Sequence, residues 1–167
     1  MTPNAVIRPA TPADVPAIGR LAVLLVQAHH DFDPNRFLSV TPHTEQGYAD
    51  YLGTQLGQKR TVVLVAELNG GVCGYAWGAV EGTDYMSLRG PAGVLYDIVV
   101  DPEHRGKGIG ALLLNAVLEA LEALDAPRVV LSTAVRNEMA QRLFARAGFR
   151  PTMLEMTREA SSGQDVR

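Results

Sequence analysis

An apolar strand, residues 95–100, runs without a break into Asp101-Pro102-Glu103-His104 and then into Arg105-Gly106-Lys107-Gly108-Ile109-Gly110-Ala111. From Ile109 onward, apolar residues recur at helical spacing as far as Leu124, until Asp125-Ala126-Pro127 stops the helix. Three glycines therefore sit at a helix start. A helix N-terminus leaves backbone N–H groups unpaired and carries the positive end of the helix dipole, so it attracts phosphate. Glycines let the backbone approach closely and adopt positive φ, while Arg105 and Lys107 add charge. Two familiar phosphate loops do not fit. The Walker-type loop needs Lys and then Ser or Thr after its last glycine, where Gly110 is followed by Ala111 and Leu112; the dinucleotide fingerprint needs glycine at position 113, which is Leu. The turn alone reads either as a diphosphate cradle or as a plain connector.

The remaining pattern predicts an α/β layered domain. A short strand at residues 6–8 precedes Thr11-Pro12-Ala13-Asp14, a helix-opening signal, and an apolar stripe of helical period that ends near His29. Residues 31–42 read as a loop, and a more polar helix follows over 44–56. The β-branched stretches 61–67 and 72–80 flank Asn69-Gly70-Gly71, a strong hairpin turn. A strand at 94–100, the long helix, a strand at 129–131 and a helix over 137–146 ended by Gly148 complete the order, with 149–156 a candidate last strand. Without internal repeats or a linker, the chain reads as one domain over 1–158 with a polar, flexible tail over 159–167.

Arg105, Gly108 and Gly110 match the pyrophosphate arm of the GNAT superfamily of N-acetyltransferases: Arg or Gln, two free positions, Gly, one free position, then Gly or Ala. Asn137, opening a helix that closes on Gly148-Phe149, resembles the family's second cofactor-binding segment, and residues 8–14 resemble its first strand and helix cap. The resemblance extends over most of the chain. It implies the GNAT-type fold, a mixed and mostly antiparallel sheet flanked by helices, with acetyl-CoA as acyl donor. It places Gly106, Lys107, Ile109 and Ala111 with the motif residues around the diphosphate, and Asn137 and Phe144 beside the cofactor. Val99 and Val100 match the position where the pantetheine arm pairs with exposed strand backbone, and a backbone N–H near them would polarise the thioester carbonyl. The plainer readings are a helix N-cap for Asn137, and a C-cap and core aromatic for Gly148-Phe149.

The resemblance also implies direct attack by an acceptor amine, which must first lose a proton from a group of pKa ~10.4. Tyr96 and Asp97 lie on the strand that lines the family's cleft, and strand alternation points them to opposite faces, so one of the two would face the thioester. Both are candidate catalytic residues; the plainer reading is hydrogen bonding within the sheet. The chain departs from the family at Phe144, where many members carry a Tyr that protonates the departing thiolate. A thiol of pKa ~8.5 leaves unaided at a cost on the order of 1.5 to 2 kcal/mol, which slows an enzyme without abolishing it. The leading expectation is thus an active N-acetyltransferase acting on a primary amine of a small molecule or peptide. The alternative is a non-catalytic acyl-CoA sensor, and a third reading is transfer of a longer acyl group. Asp31 and Asp33, in the family's acceptor-bordering loop, are candidates for holding a cationic amine, with Glu45 beside them. Dimers are common in the family, which makes a homodimer a candidate assembly.

Composition narrows the partners. With 15 Lys and Arg against 18 Asp and Glu, a net charge of -3 and no long charged run, nucleic acid is not indicated. The apolar run at residues 21–26 is far too short to span a bilayer and no signal-peptide stretch opens the chain, so no membrane partner and a cytoplasmic location are expected. Cys73 is the lone cysteine, set in a strand-like stretch, and reads as a core residue suited to a reducing compartment. His29, His30, Asp31 and Asp33 have metal-ligand character, but no second His or Cys group completes a site, and no metal is expected.

Overall fold

The β-branched stretches form the expected hairpin in the computed structural model, which describes residues 4–160. Strand β2 (Thr61–Leu68) turns through Asn69 at φ 53° and Gly70 at φ 78° into β3 (Gly71–Glu81). Both turn residues are left-handed, the geometry that Asn-Gly tolerates best. β1 (Val6–Pro9) lies antiparallel on β2, β4 (Ala92–Val100) antiparallel on β3, and β5 (Val129–Leu131) parallel to β4. The result is a five-stranded sheet in the order β1-β2-β3-β4-β5.

Helices cover both faces. On one side α3 (Ile109–Glu122) and α4 (Glu138–Arg146) pack Ile109, Leu113, Val117, Leu121 and Phe144 against Leu64, Ala76 and Leu95. Gly74 and Gly78 make this face of β3 bare: a Cβ would stand 3.1 Å from Leu113 and 3.4 Å from Leu121, and 2.7 Å from β4 carbonyl oxygens. On the other side α1 (Val15–Phe32) and α2 (Thr44–Gln55) bury Ile18, Leu21 and Leu52 against Val63, Val65, Tyr75 and Val99. A 3-10 turn over Pro12–Asp14 leads into α1. Its Asp14 carboxylate is buried, accepts from the Thr11 backbone N–H at 2.8 Å, and is gripped by both terminal nitrogens of Arg8 at 2.7 and 2.9 Å. Arg8 also donates to Glu67, tying the entry of α1 to β1 and β2.

One element differs from expectation. Residues 150–160 form no strand and lie exposed. Pro151 lacks a ladder donor, and β5 offers an edge of three residues. The described part of this segment is tethered by a forked pair of Glu155 with Arg36, in the loop after α1. Most of the expected flexible tail, residues 161–167, falls outside the described residues. Among the described residues no helix is long and apolar enough to cross a membrane, and no group of three potential metal ligands occurs.

Candidate active site

The site begins where β4 loses its neighbour. Gly93, Val94 and Leu95 pair with Val129, Val130 and Leu131, after which β4 runs on to Val100 with no β5 partner. Asp101 donates its N–H to Cys73 of β3 at 2.9 Å, so two-residue alternation turns Val99 toward β3 as well, in register with Tyr75. The N–H and C=O groups of Ile98 and Val100 therefore face the open edge, and the Val100 carbonyl accepts from Arg105 Nε at 3.0 Å. The sequence pointed to Val99 and Val100. Of these two, Val100 directs its backbone to the open edge beside Ile98 and Val99 directs its backbone to β3, because adjacent residues on a strand cannot both face one edge.

The open edge ends at the glycine turn. Gly106 and Gly108 have φ of 73° and 81°, and Gly108 is the N-cap of α3. The backbone N–H groups of Gly106, Lys107, Gly108, Ile109 and Gly110 donate to nothing among the described residues. Ala111 differs, since its N–H donates to the Gly108 carbonyl at 3.1 Å. Ile109 anchors the turn with a side chain that is buried against the sheet. Arg105 and Lys107 fold back on the turn, Lys107 donating to the Glu103 carbonyl at 3.1 Å. Five unpaired amides at a helix N-terminus, with two cations in the same turn, suit a diphosphate.

A cleft of about 410 Å³ adjoins this edge, lined among others by His29, Arg36, Phe37, Tyr48, Tyr96, Asp97, Asn137 and Phe144. Asn137 caps α4 by accepting from the Ala140 N–H at 3.1 Å. Phe144 is buried and meets Phe149 edge-on, with ring centroids 5.9 Å apart.

Tyr96 and Asp97 do not point to opposite faces. The β3–β4 register shifts so that Trp77 opposes Asp97 and Gly78 opposes Leu95, leaving Tyr96 as the extra residue of a β-bulge. The bulge breaks the alternation. Leu95 packs toward α3, whereas Tyr96 stacks on Trp77 at 4.4 Å and Asp97 accepts from the Tyr75 hydroxyl at 3.1 Å, both toward α1 and α2. The two residues also differ in chemistry. Burial first, then the Glu81 carboxylate to which its hydroxyl donates, pushes Tyr96 well above the usual phenol range. Its proton stays on the phenol oxygen, in the hydrogen bond to Glu81.

Asp97 is the poised group. Burial pushes its carboxyl up to about 6 from 3.8, against the Tyr75 hydrogen bond and the nearby His29, which both favour the anion. The pKa of Tyr75 is raised in turn, by burial first and then by Asp97, and that of Tyr48 likewise. His29 Nδ1–H donates to the Leu25 carbonyl at 2.9 Å, which leaves Nε2 free to accept when the ring is neutral. Tyr48 and Tyr75 escaped the sequence reading, and His29 entered it only as part of a cluster with metal-ligand character, because the three come from separate elements with no local motif. Asp31 and Asp33 do not line the cleft. Asp31 accepts from Gln27, and Asp33 accepts from the Asn35 and Phe37 backbone, so it builds the turn that presents Arg36 and Phe37.

The family described as acetyltransferase (GNAT) matches residues 25–149. A mycothiol acetyltransferase of Acidimicrobium ferrooxidans is 35% identical over 113 residues, 64% of this chain and 35% of that protein, so the chain spans about a third of this relative's length. Among solved structures, a mutant of the BH1408 protein of Bacillus halodurans superposes with TM-score 0.79 at 22% identity, covering 93% of this chain and 99% of that one. The aminoglycoside N-acetyltransferase AAC(6')-Iy, in complex with CoA, superposes with TM-score 0.69 at 17% identity over 94% of this chain and 95% of that one. Both likenesses concern the fold.

Proposed function

The chain belongs to the acetyltransferase (GNAT) family, and on that premise we propose that it transfers the acetyl group of acetyl-CoA to a primary amine of a small molecule or peptide. One observation carries this reading: the unpartnered edge of β4 joins the unpaired amides of residues 106–110 at one end and the cleft holding Asp97 at the other. An extended pantetheine arm adds to that edge as a strand would, through Ile98 and Val100, while the turn takes the diphosphate. A thioester carbonyl then lies where an edge N–H polarises it.

Asp97 acts at the other end. A carboxylate with a pKa near 6 is largely ionised at neutral pH yet basic enough to take a proton from the acceptor ammonium, directly or through water. The freed amine attacks the thioester carbon, the C–S bond breaks, CoA departs as a thiolate beside Phe144, which has no proton to give, and the surplus proton on the new amide nitrogen leaves to water. Tyr75 holds the Asp97 carboxylate in place from beneath. The same reading has one domain working in the cytoplasm without a metal, a setting that suits its buried free thiol, Cys73. Release of CoA from acetyl-CoA across a panel of primary amines tests the proposal, and failure of every amine to exceed background hydrolysis would overturn it.

Phe144 favours a second reading, a non-catalytic acyl-CoA sensor of the same fold. Tight acetyl-CoA binding with no turnover would support it, and turnover with any amine excludes it.

A further inference from the structure

Arg36 forms part of the cleft wall on the acceptor side, in the loop that Asp33 shapes after α1. Its guanidinium carbon lies over the Phe37 ring, 4.9 Å from the centroid, a cation–π contact that helps hold the fork in place. Nε and one terminal nitrogen of that fork hold the two carboxylate oxygens of Glu155, one each. Such parallel two-point contact is the geometry by which arginine recognises a carboxylate.

The segment that supplies Glu155 has little else to hold it. Residues 150–160 make no other hydrogen bond among the described residues, and Met153, Leu154 and Met156 are 69%, 81% and 90% exposed. Glu155 itself has 64% side-chain exposure against 40% for Arg36. An exposed pair of this kind is weak and exchanges readily. The cleft thus presents a fixed cation at its wall, covered by a loosely held carboxylate, together with the Asp97 carboxylate. The two protein charges complement a molecule that carries an amine and a carboxylate.

We propose that Arg36 is a specificity site for a carboxylate on the acceptor, and that Glu155 occupies it as an internal stand-in until such an acceptor displaces it. The acceptor class is then an amino acid or a related amino carboxylate, with the amine directed to Asp97. This rests on the acetyltransfer reading for the role of the amine, but carboxylate binding at Arg36 is measurable without it.

The test uses two readouts on the full chain. Amino acids of increasing backbone length, from glycine through β-alanine, 4-aminobutyrate and 5-aminopentanoate, are each compared with their carboxamides. In the CoA-release assay at least one acid should exceed its amide in kcat/KM by roughly tenfold, a ratio that Arg36→Gln abolishes and Arg36→Lys restores in part. Glu155→Gln removes the competitor and should raise that ratio on the order of two- to fivefold. Independently, the 13C-methyl resonances of Met153 and Met156, which flank Glu155, should shift with the acids and not the amides, toward their positions in Glu155→Gln. Equal response to acid and amide in the methyl spectra, unchanged by Arg36→Gln, overturns the proposal. Acid-specific methyl shifts without turnover would leave the carboxylate site standing and count against acetyltransfer alone.

Discussion

Replacing Asp97 by Asn should damage the enzyme and stabilise the fold, and the two effects share a cause. The carboxyl is pushed up to about 6 from 3.8, chiefly by burial. Between those two pH values the unfolded chain has released this proton while the folded chain keeps it, so stability falls as pH rises through the window. At about 1.36 kcal/mol per pKa unit, the ionised group costs the folded state on the order of 3 kcal/mol at neutral pH. Asparagine is isosteric, uncharged, and still accepts from the Tyr75 hydroxyl. Asp97→Asn should therefore raise Tm at pH 7.5 by on the order of 5 to 10 °C, since 1 kcal/mol moves Tm by about 2–4 °C in a chain of this size. At pH 4, where folded Asp97 is already protonated, most of the gain disappears. The same variant should lower kcat/KM for amine acetylation by roughly 10²- to 10⁴-fold, and wild type should show an acid limb near pH 6. Tyr75→Phe removes a hydrogen bond that favours the anion, so its acid limb should move upward by about one to two pH units. Thermal melts at both pH values and pH–rate profiles decide the matter. A Tm gain equal at pH 4 and 7.5, or a loss at pH 7.5, would refute the account of Asp97 as a desolvated, ionised base.

Gly108→Ala forces a side chain into a φ of 81° and should weaken CoA binding about tenfold by calorimetry, at a strain of about 1–2 kcal/mol. Gly110→Ala should bind CoA as wild type does, because its new methyl meets Leu143 and Val100 at 3.6 and 3.9 Å, ordinary contact distances. Phe144→Tyr should leave acetyl-CoA affinity within about twofold; a large drop would show that this position has a different role. Arg8, more than any other group, holds the Asp14 carboxyl far below its usual range, so its stabilising contribution is present above pH 3.8 and lost as pH falls toward the folded value. Asp14→Asn should accordingly cost about 3 kcal/mol in urea melts at pH 7 and much less in strong acid.

What the sequence revealed was what neighbouring residues decide. Gly106 and Gly108 sit at a helix start because a left-handed turn needs residues without Cβ, and Asn137 caps α4 because its side chain reaches an N–H three residues on. The hairpin at Asn69-Gly70 follows from the same local logic. The bulge at Tyr96 obeys no such rule. It arises from how β3 and β4 register against each other, and it reverses the face of Asp97 relative to strict alternation. The cleft wall is equally non-local: Arg36, Tyr48 and Asp97 come from a loop, a helix and a strand. Asp33 was a misleading candidate for a related reason, since a carboxylate in a loop can serve the loop's own backbone.

The bulge also explains how one strand serves two purposes. In the proposed reaction β4 offers bare backbone on its open edge and delivers a desolvated carboxylate to the same cleft. Without the bulge, Asp97 would share the face of Leu95, against the core beneath α3, and no base would stand on the acceptor side. Slipping Tyr96 out of the ladder moves Asp97 over Tyr75, near His29 and Tyr48, while Ile98 and Val100 keep their backbone groups on the free edge. Deleting Tyr96 would leave Leu95 and Asp97 adjacent, which plain alternation still places on opposite faces, so Asp97 should stay on the α1 and α2 side and turnover should fall no further than in Tyr96→Phe. Turnover lost in the deletion alone, with both variants folded by circular dichroism, would refute the account in which the bulge serves only to set the face of Asp97.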